Sequence, residues 1–281
     1  MRSYIDMIRF LFICLLLSHA AMVSAQGPEY LDLVKSENLL EDLFVQLYSD
    51  SLSDREQVLT TILDVMPDVL ALEGAMDFPW SGLSRIGVVT SDDQMIRTFT
   101  WHVTDDPDHH RYFGFIQVGQ KKGKFELYTL VDNGLSQRGV TRLDQSLEDW
   151  YGKLYYSIIT TAHKRKTYYT LLGMDFNDTR STIKTIETLS IQRNQPRFAK
   201  EMFFNGSDTQ DRLVLEYSSQ VAISVRFDPG MDMITFDHLV PFHPIYENNY
   251  EFYGPDGSFE GLQFEDGTWI QRTDIDARNI D

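Results

Sequence analysis

Between Tyr30 and Tyr48 the apolar residues Leu31, Leu39, Leu40, Leu43, Phe44 and Leu47 recur near the 3.6-residue period of a helix. Val58, Leu59, Ile62, Leu63 and Met66 repeat that stripe. Ser53 with Glu56 three residues on forms a capping box, and Pro67 is expected to end or kink the second helix. Residues 29–73 therefore read as a helical pair. From Ile86 the period changes to two. Phe99, Trp101 and Val103 alternate with Thr98, Thr100 and His102, and Val221, Ile223, Val225 and Phe227 alternate with Ala222, Ser224 and Arg226, as in half-buried strands. Comparable runs cover 112–118, 125–131, 154–160, 168–174, 198–204, 213–217 and 233–239. Short turn-forming stretches separate them, among them Lys121–Lys124, Asp132-Asn133-Gly134, His163–Lys166, Asn194–Pro196, Asp228-Pro229-Gly230 and Asp266-Gly267.

Successive hairpins make an antiparallel meander, and its apolar faces are buried only if the sheet closes or folds into layers. The fold class is α+β, mostly β: a sandwich or barrel-like antiparallel meander preceded by the helical pair. One further helix is expected over Leu143–Tyr151, interrupting the meander. The division is 1–25 as a leader, 26–78 as the helical segment and 79–281 as the β domain.

The leader follows from a second pattern. Arg2 and Arg9 precede an unbroken apolar run, Phe10–Leu17, and Val23-Ser24-Ala25 places small residues at a cleavage point, as in a secretory signal peptide. The run is shorter than the ~20 apolar residues of a membrane-spanning helix, so no transmembrane segment is expected in the mature chain. Removing it leaves 256 residues and takes the formal charge from −17 to −18. Such a surface disfavours nucleic acid as a partner. Cys14, the one cysteine, lies inside the leader, so the mature chain carries neither disulfide nor thiolate chemistry. Stability then rests on burial of the 42% hydrophobic residues, 13% aromatics included.

Tyr169-Thr170-Leu171-Leu172-Gly173-Met174-Asp175, the hairpin that follows it, Gly267-Thr268-Trp269 and the tail Asp274–Asn279 form a series. The series resembles a family of uncharacterised exported proteins of Bacteroidota, over roughly residues 85–281. The resemblance implies an exported protein of a Gram-negative envelope, periplasmic or outer-membrane-associated. It implies no catalytic residue. Read physically, Gly173 marks a close backbone approach within a strand, and Asp175 is placed to bond the turn at Asn177-Asp178.

Candidate chemistry is sparse. Asp105-Asp106-Pro107-Asp108-His109-His110 is the densest set of oxygen and nitrogen ligands, and His238 and His243 flank Pro241 near Asp237. Asp105, Asp108, His109 and His110, joined by His238 and His243, are the candidate metal ligands for a divalent cation. The competing readings are a solvated acidic turn and proline-rich edge structure. Gly82–Gly87 misses the Gly-x-Ser-x-Gly elbow by one residue, and neither a Walker loop nor a dinucleotide glycine pattern occurs. No cofactor other than such a cation is indicated. The favoured expectation is a non-catalytic binding or envelope-associated protein, with an envelope protein or glycan as partner. The alternatives are a cation-dependent hydrolase using the Asp/His cluster and a ligand cavity inside a closed barrel.

Overall fold

The computed structural model describes residues 28–49, 52–143 and 146–276. The expected leader with Cys14, the side chain of Ser53 in the expected capping box, and the tail from Ala277 onward lie outside the described residues. The chain divides at Arg85/Ile86 into two compact units. The expected boundary at 78/79 falls in the run of turns that closes the first of them.

The first unit is the helical pair. Helix α1 (Pro28–Leu47) buries Leu33, Leu40, Leu43, Phe44 and Leu47, a single stripe at helical spacing. Leu31 and Leu39 stand off that stripe and are 54% and 49% exposed. The position between Leu33 and Leu40 belongs to Glu37, which is buried and accepts a hydrogen bond from the Gly82 amide at 2.7 Å. A buried carboxylate is tolerable there because an otherwise orphaned amide donates to it. Helix α2 (Leu52–Leu70) buries Leu59, Ile62, Met66, Val69 and Leu70. It runs through Pro67, and the Ala71 amide still reaches the Pro67 carbonyl at 3.0 Å. Proline sits in the last turn, where its missing N–H forfeits one bond and little helix remains to be disrupted.

The second unit contains three sheets. The first runs β1 (Gly87–Thr90), β2 (Ile96–Asp106), β3 (His109–Gly119), β4 (Phe125–Leu130) in that order. The second is built from β5 (Leu154–His163), β6 (Lys166–Asp175), β7 (Ser181–Gln192) and β11 (Arg212–Ser218), with β8 (Gln195–Phe198) beside β7. The third adds β9 (Phe203–Phe204) and β10 (Thr209–Gln210) to the meander β12 (Val225–Asp228), β13 (Met233–Pro241), β14 (Tyr253–Glu265), β15 (Thr268–Ile275). Among the described residues pairing is antiparallel except for the short parallel pair β9–β15 and an isolated parallel bridge between Asp132 and Trp150. The expected antiparallel, mostly β fold with an N-terminal helical pair is what forms, with open sheets rather than a closed barrel.

The middle sheet has a core on each face. On β6, Tyr169 and Leu171 point into a core shared with Ile96, Ile116 and Val118 of the first sheet. Leu172, one residue on, points the opposite way, into a core shared with Ile234, Phe236 and Trp269 of the third. A strand sandwiched in this way needs apolar residues at consecutive positions, which is why Tyr169–Gly173 reads as a run rather than an alternation. In β5, Tyr155 and Ile158 are three apart yet share one core, because the bulge between Tyr155 and Ser157 resets the alternation.

The helix expected over Leu143–Tyr151 is instead a single 3-10 turn, Leu147–Asp149, capped by the Ser146 hydroxyl on the Glu148 amide. Leu143, Leu147 and Trp150 are buried, but the backbone is claimed by another partner. Val131 N donates to Leu147 O, Trp150 N to Val131 O, and Asn133 N to Trp150 O, all at 2.8–3.0 Å. Strand-like pairing with the end of the first sheet satisfies these groups, and a helix is left without its own bonds.

Candidate functional site

Polar side chains collect in two very different places in the second unit. One is buried across the middle sheet, where Arg212 Nη2 is left without a hydrogen-bond partner among the described residues. Lys153 and Arg212 are both 0% exposed and converge on Glu187, with Lys153 Nζ at 2.8 Å and Arg212 Nη1 at 3.5 Å. The Tyr155 hydroxyl also donates to Glu187 and accepts from Trp150 Nε1 at 2.9 Å. Gln137 links Arg212 to Asp175 and to the Gly152 carbonyl, and the Tyr112 hydroxyl donates to Asp175 at 2.7 Å. Burial pulls the Lys153 ammonium down to about 8 despite Glu187 beside it. Burial pushes the Glu187 carboxyl up, and Lys153 and Arg212 more than reverse this, so its pKa is lowered.

The sequence motif around Gly173 serves this network. A Cβ at Gly173 would lie 2.7 Å from Lys153 Cδ, so glycine makes room for the buried lysine stem. Asp175 accepts from the Asn177 amide at 2.9 Å, as its place beside the turn predicted.

A pH test follows from Lys153. Below about pH 8 both folded and unfolded chains hold its proton, and the burial penalty is fully present. Between there and the ordinary lysine value of 10.5 the unfolded chain binds more proton, so this group makes stability rise with pH. The stability difference between wild type and Lys153→Met is expected to shift in favour of wild type by roughly 2 kcal/mol from pH 7.5 to 10 in urea titrations. A difference that stays flat over that range would place the lysine's pKa near its ordinary value.

The predicted Asp/His segment is a tight hairpin joining β2 to β3. Its acids are already engaged: Asp105 by the Arg111 guanidinium at 2.6 and 2.7 Å, Asp106 by His109 at 2.7 Å, and Asp108 by the Thr179 amide and hydroxyl at 2.9 and 2.7 Å. His110 pairs with the Thr104 hydroxyl at 3.1 Å, and its ring lies 5.6 Å from that of His102. Burial, helped by His110, lowers the His102 pKa to about 4. His238 is on β13 of the third sheet, bonded to Glu260 at 2.8 Å, and His243 receives the Ile245 amide at 3.3 Å. The two segments thus belong to different sheets, and among the described residues no group of three or more His, Asp or Glu is arranged to hold a metal ion.

The second polar place is a cavity of about 990 Å³ at one end of the middle sheet. Three connections border it: β3–β4 contributes Lys121, β5–β6 contributes Arg165 and Lys166, and β7–β8 contributes Arg193, with Lys200 just beyond β8. Among the described residues no carboxylate lines it. None of the five cations forms an ion pair with a carboxylate among the described residues, whereas Arg111, Arg138, Arg142, Lys153, Arg180, Arg212 and Arg272 all do. In a chain with 42 acids to 25 bases, unpaired bases gathered in one place run against the overall charge. Two nearby acids are satisfied by neutral donors: Asp93 by the hydroxyls of Tyr169 and Ser91, and Glu126 by Tyr128.

The turns themselves are costly. Lys164 and Arg165 fill the two-residue turn between His163 and Lys166 with φ of 46° and 66°, and Arg193 and Asn194 fill that between Gln192 and Gln195 with 53° and 66°. Both are turns in which both central residues are left-handed, the geometry that favours Asn-Gly. Placing long cationic side chains there costs backbone strain that glycine would avoid, on the order of 1 kcal/mol or more per residue.

Sequence reasoning that weighed net charge alone passed over this cavity. The signal was present: residues 119–125, 162–169 and 190–200 hold nine of the 25 lysines and arginines and not one acid. What the sequence did not reveal is that these stretches meet. No family model, no curated protein and no solved structure matches this chain, so the site is defined by its geometry alone.

Proposed function

We propose that this chain is an exported, non-catalytic binding protein of a Gram-negative envelope, periplasmic or outer-membrane-associated, whose basic cavity takes an anionic ligand. The observation that carries the reading is the set of five cations around a cavity that, among the described residues, has no carboxylate in its lining and no carboxylate paired with any of the five. Mutual repulsion among them is relieved when an anion enters, so their attraction is held in reserve for a ligand. The leader-like N-terminus and the resemblance of its β-strand series support the address. A bounded cavity suits a small anion, while the net charge of −17 repels a long polyanion such as nucleic acid.

The left-handed turns supply a test that separates binding from folding. Lys164-Arg165 and Arg193-Asn194 are both replaced by Asn-Gly, which suits the same backbone. The variant is expected to melt no lower than wild type, and to bind pyrophosphate or citrate at least about tenfold more weakly in calorimetric titrations at low salt. Equal affinity in the two proteins, or no binding of either anion to wild type, would remove the cavity as an anion site.

A further inference from the structure

The lining of the cavity changes character with depth. Lys121, Arg165, Lys166, Arg193 and Lys200 are exposed at its rim, while Val118 and Met202 beneath them are buried and Tyr168 and Ile191 are half-buried. These deeper residues come from both cores. Val118 belongs to the core between the first and middle sheets and Ile191 packs against it; Met202 belongs to the core between the middle and third sheets, and Tyr168 packs against that one. The cavity therefore lies where the two apolar layers reach the end of the sheet that separates them. Met95, 36% exposed, adds an unbranched thioether that adapts to varied shapes.

Resting on the anion-binding reading above, we infer that the ligand is an anionic amphiphile. Its phosphate-like head is held by the cationic rim, and an alkyl or acyl portion lies on the floor made by Met95, Val118, Tyr168, Ile191 and Met202. A free phosphate satisfies the rim and leaves the floor wet. A neutral apolar molecule satisfies the floor and leaves five like charges facing each other. At about 990 Å³ the cavity lies at the upper end of the ~300–1,000 Å³ typical of small-molecule sites, large for a head group by itself. An amphiphile uses both halves and extends the two cores it touches.

A homologous series reads this directly. Ethyl, butyl, hexyl and octyl phosphate, each below its micellar concentration, are titrated into the full-length mature protein. Affinity is expected to rise two- to fourfold per added methylene, the upper figure corresponding to ~0.8 kcal/mol, until the floor is covered. The slope should flatten in Ile191→Thr, which makes the floor more polar. Affinity independent of chain length, still lost in the Asn-Gly turn variant, would overturn the amphiphile and leave the anion site standing. Octyltrimethylammonium binding as tightly as octyl phosphate would overturn both, as would a series in which no member binds. Vesicles of phosphatidic acid and phosphatidylcholine distinguish the source of the head group: capture by vesicles without binding of the monomeric phosphates means docking on a lipid surface, and ends the cavity assignment.

Discussion

Replacing Glu187 with glutamine is expected to lower the unfolding free energy of the β unit by about 3–5 kcal/mol, the cost typical of breaking a buried ion pair from one side. The residue is 1% exposed and faces two cations that are wholly buried, Lys153 at 2.8 Å and Arg212 at 3.5 Å. Glutamine keeps the shape and removes the charge. The remaining acid of the network, Asp175, is already bonded to Tyr112 and Gln137. Two desolvated cations are then left to repel each other in a medium that screens poorly. Adding Lys153→Met to this variant should recover part of the loss, because one of the stranded charges is gone. Urea denaturation of the two variants and wild type at pH 7 measures this. A loss below about 1 kcal/mol for Glu187→Gln would mean that the network is solvated rather than dry.

Truncating Trp269 to alanine should have a similar effect, about 3–5 kcal/mol, by a different cause. The indole is 1% exposed in the core between the middle and third sheets, edge-on to Phe264 at 5.2 Å. Its Nε1 donates to the Thr170 hydroxyl on β6 at 2.9 Å, and its backbone amide donates to the Met202 carbonyl at 2.7 Å. The cavity left by alanine spans two sheets that are each held by their own ladders, which limits collapse around it. Trp269→Phe keeps most of the ring volume and loses only the hydrogen bond to Thr170, so it should cost about 1–2 kcal/mol. Equal losses in the two variants would assign the stability to the bond rather than to the packing.

These two sites mark how far the sequence could be read. Gly267-Thr268-Trp269 was visible as a turn followed by a strand. That the partner of Trp269 would be Thr170 was not visible, since ninety-nine residues separate them. No sequence pattern singled out Lys153, Arg212 or Glu187. In β7 the positions 181–190 are buried except for Lys184, and Ile186 and Leu189 enter opposite cores, so both faces of the strand are interior and Glu187 is buried with them. Leu143–Tyr151 showed the opposite failure. It read as a helix, yet its backbone partners lay at 131–133, and local periodicity carries no information about those.

Periodicity alone determined that a helical pair precedes an antiparallel β region, because the 3.6- and 2-residue repeats are properties of single elements and need no knowledge of neighbours. The charge-dense, acid-free turns were likewise written in the chain. Only the tertiary structure decided that the ribbons form three sheets with a doubly buried one in the middle, and that three basic turns meet over one cavity. Pairing between strands and convergence of turns are long-range choices, settled by which apolar faces fit together and which buried charges find a partner.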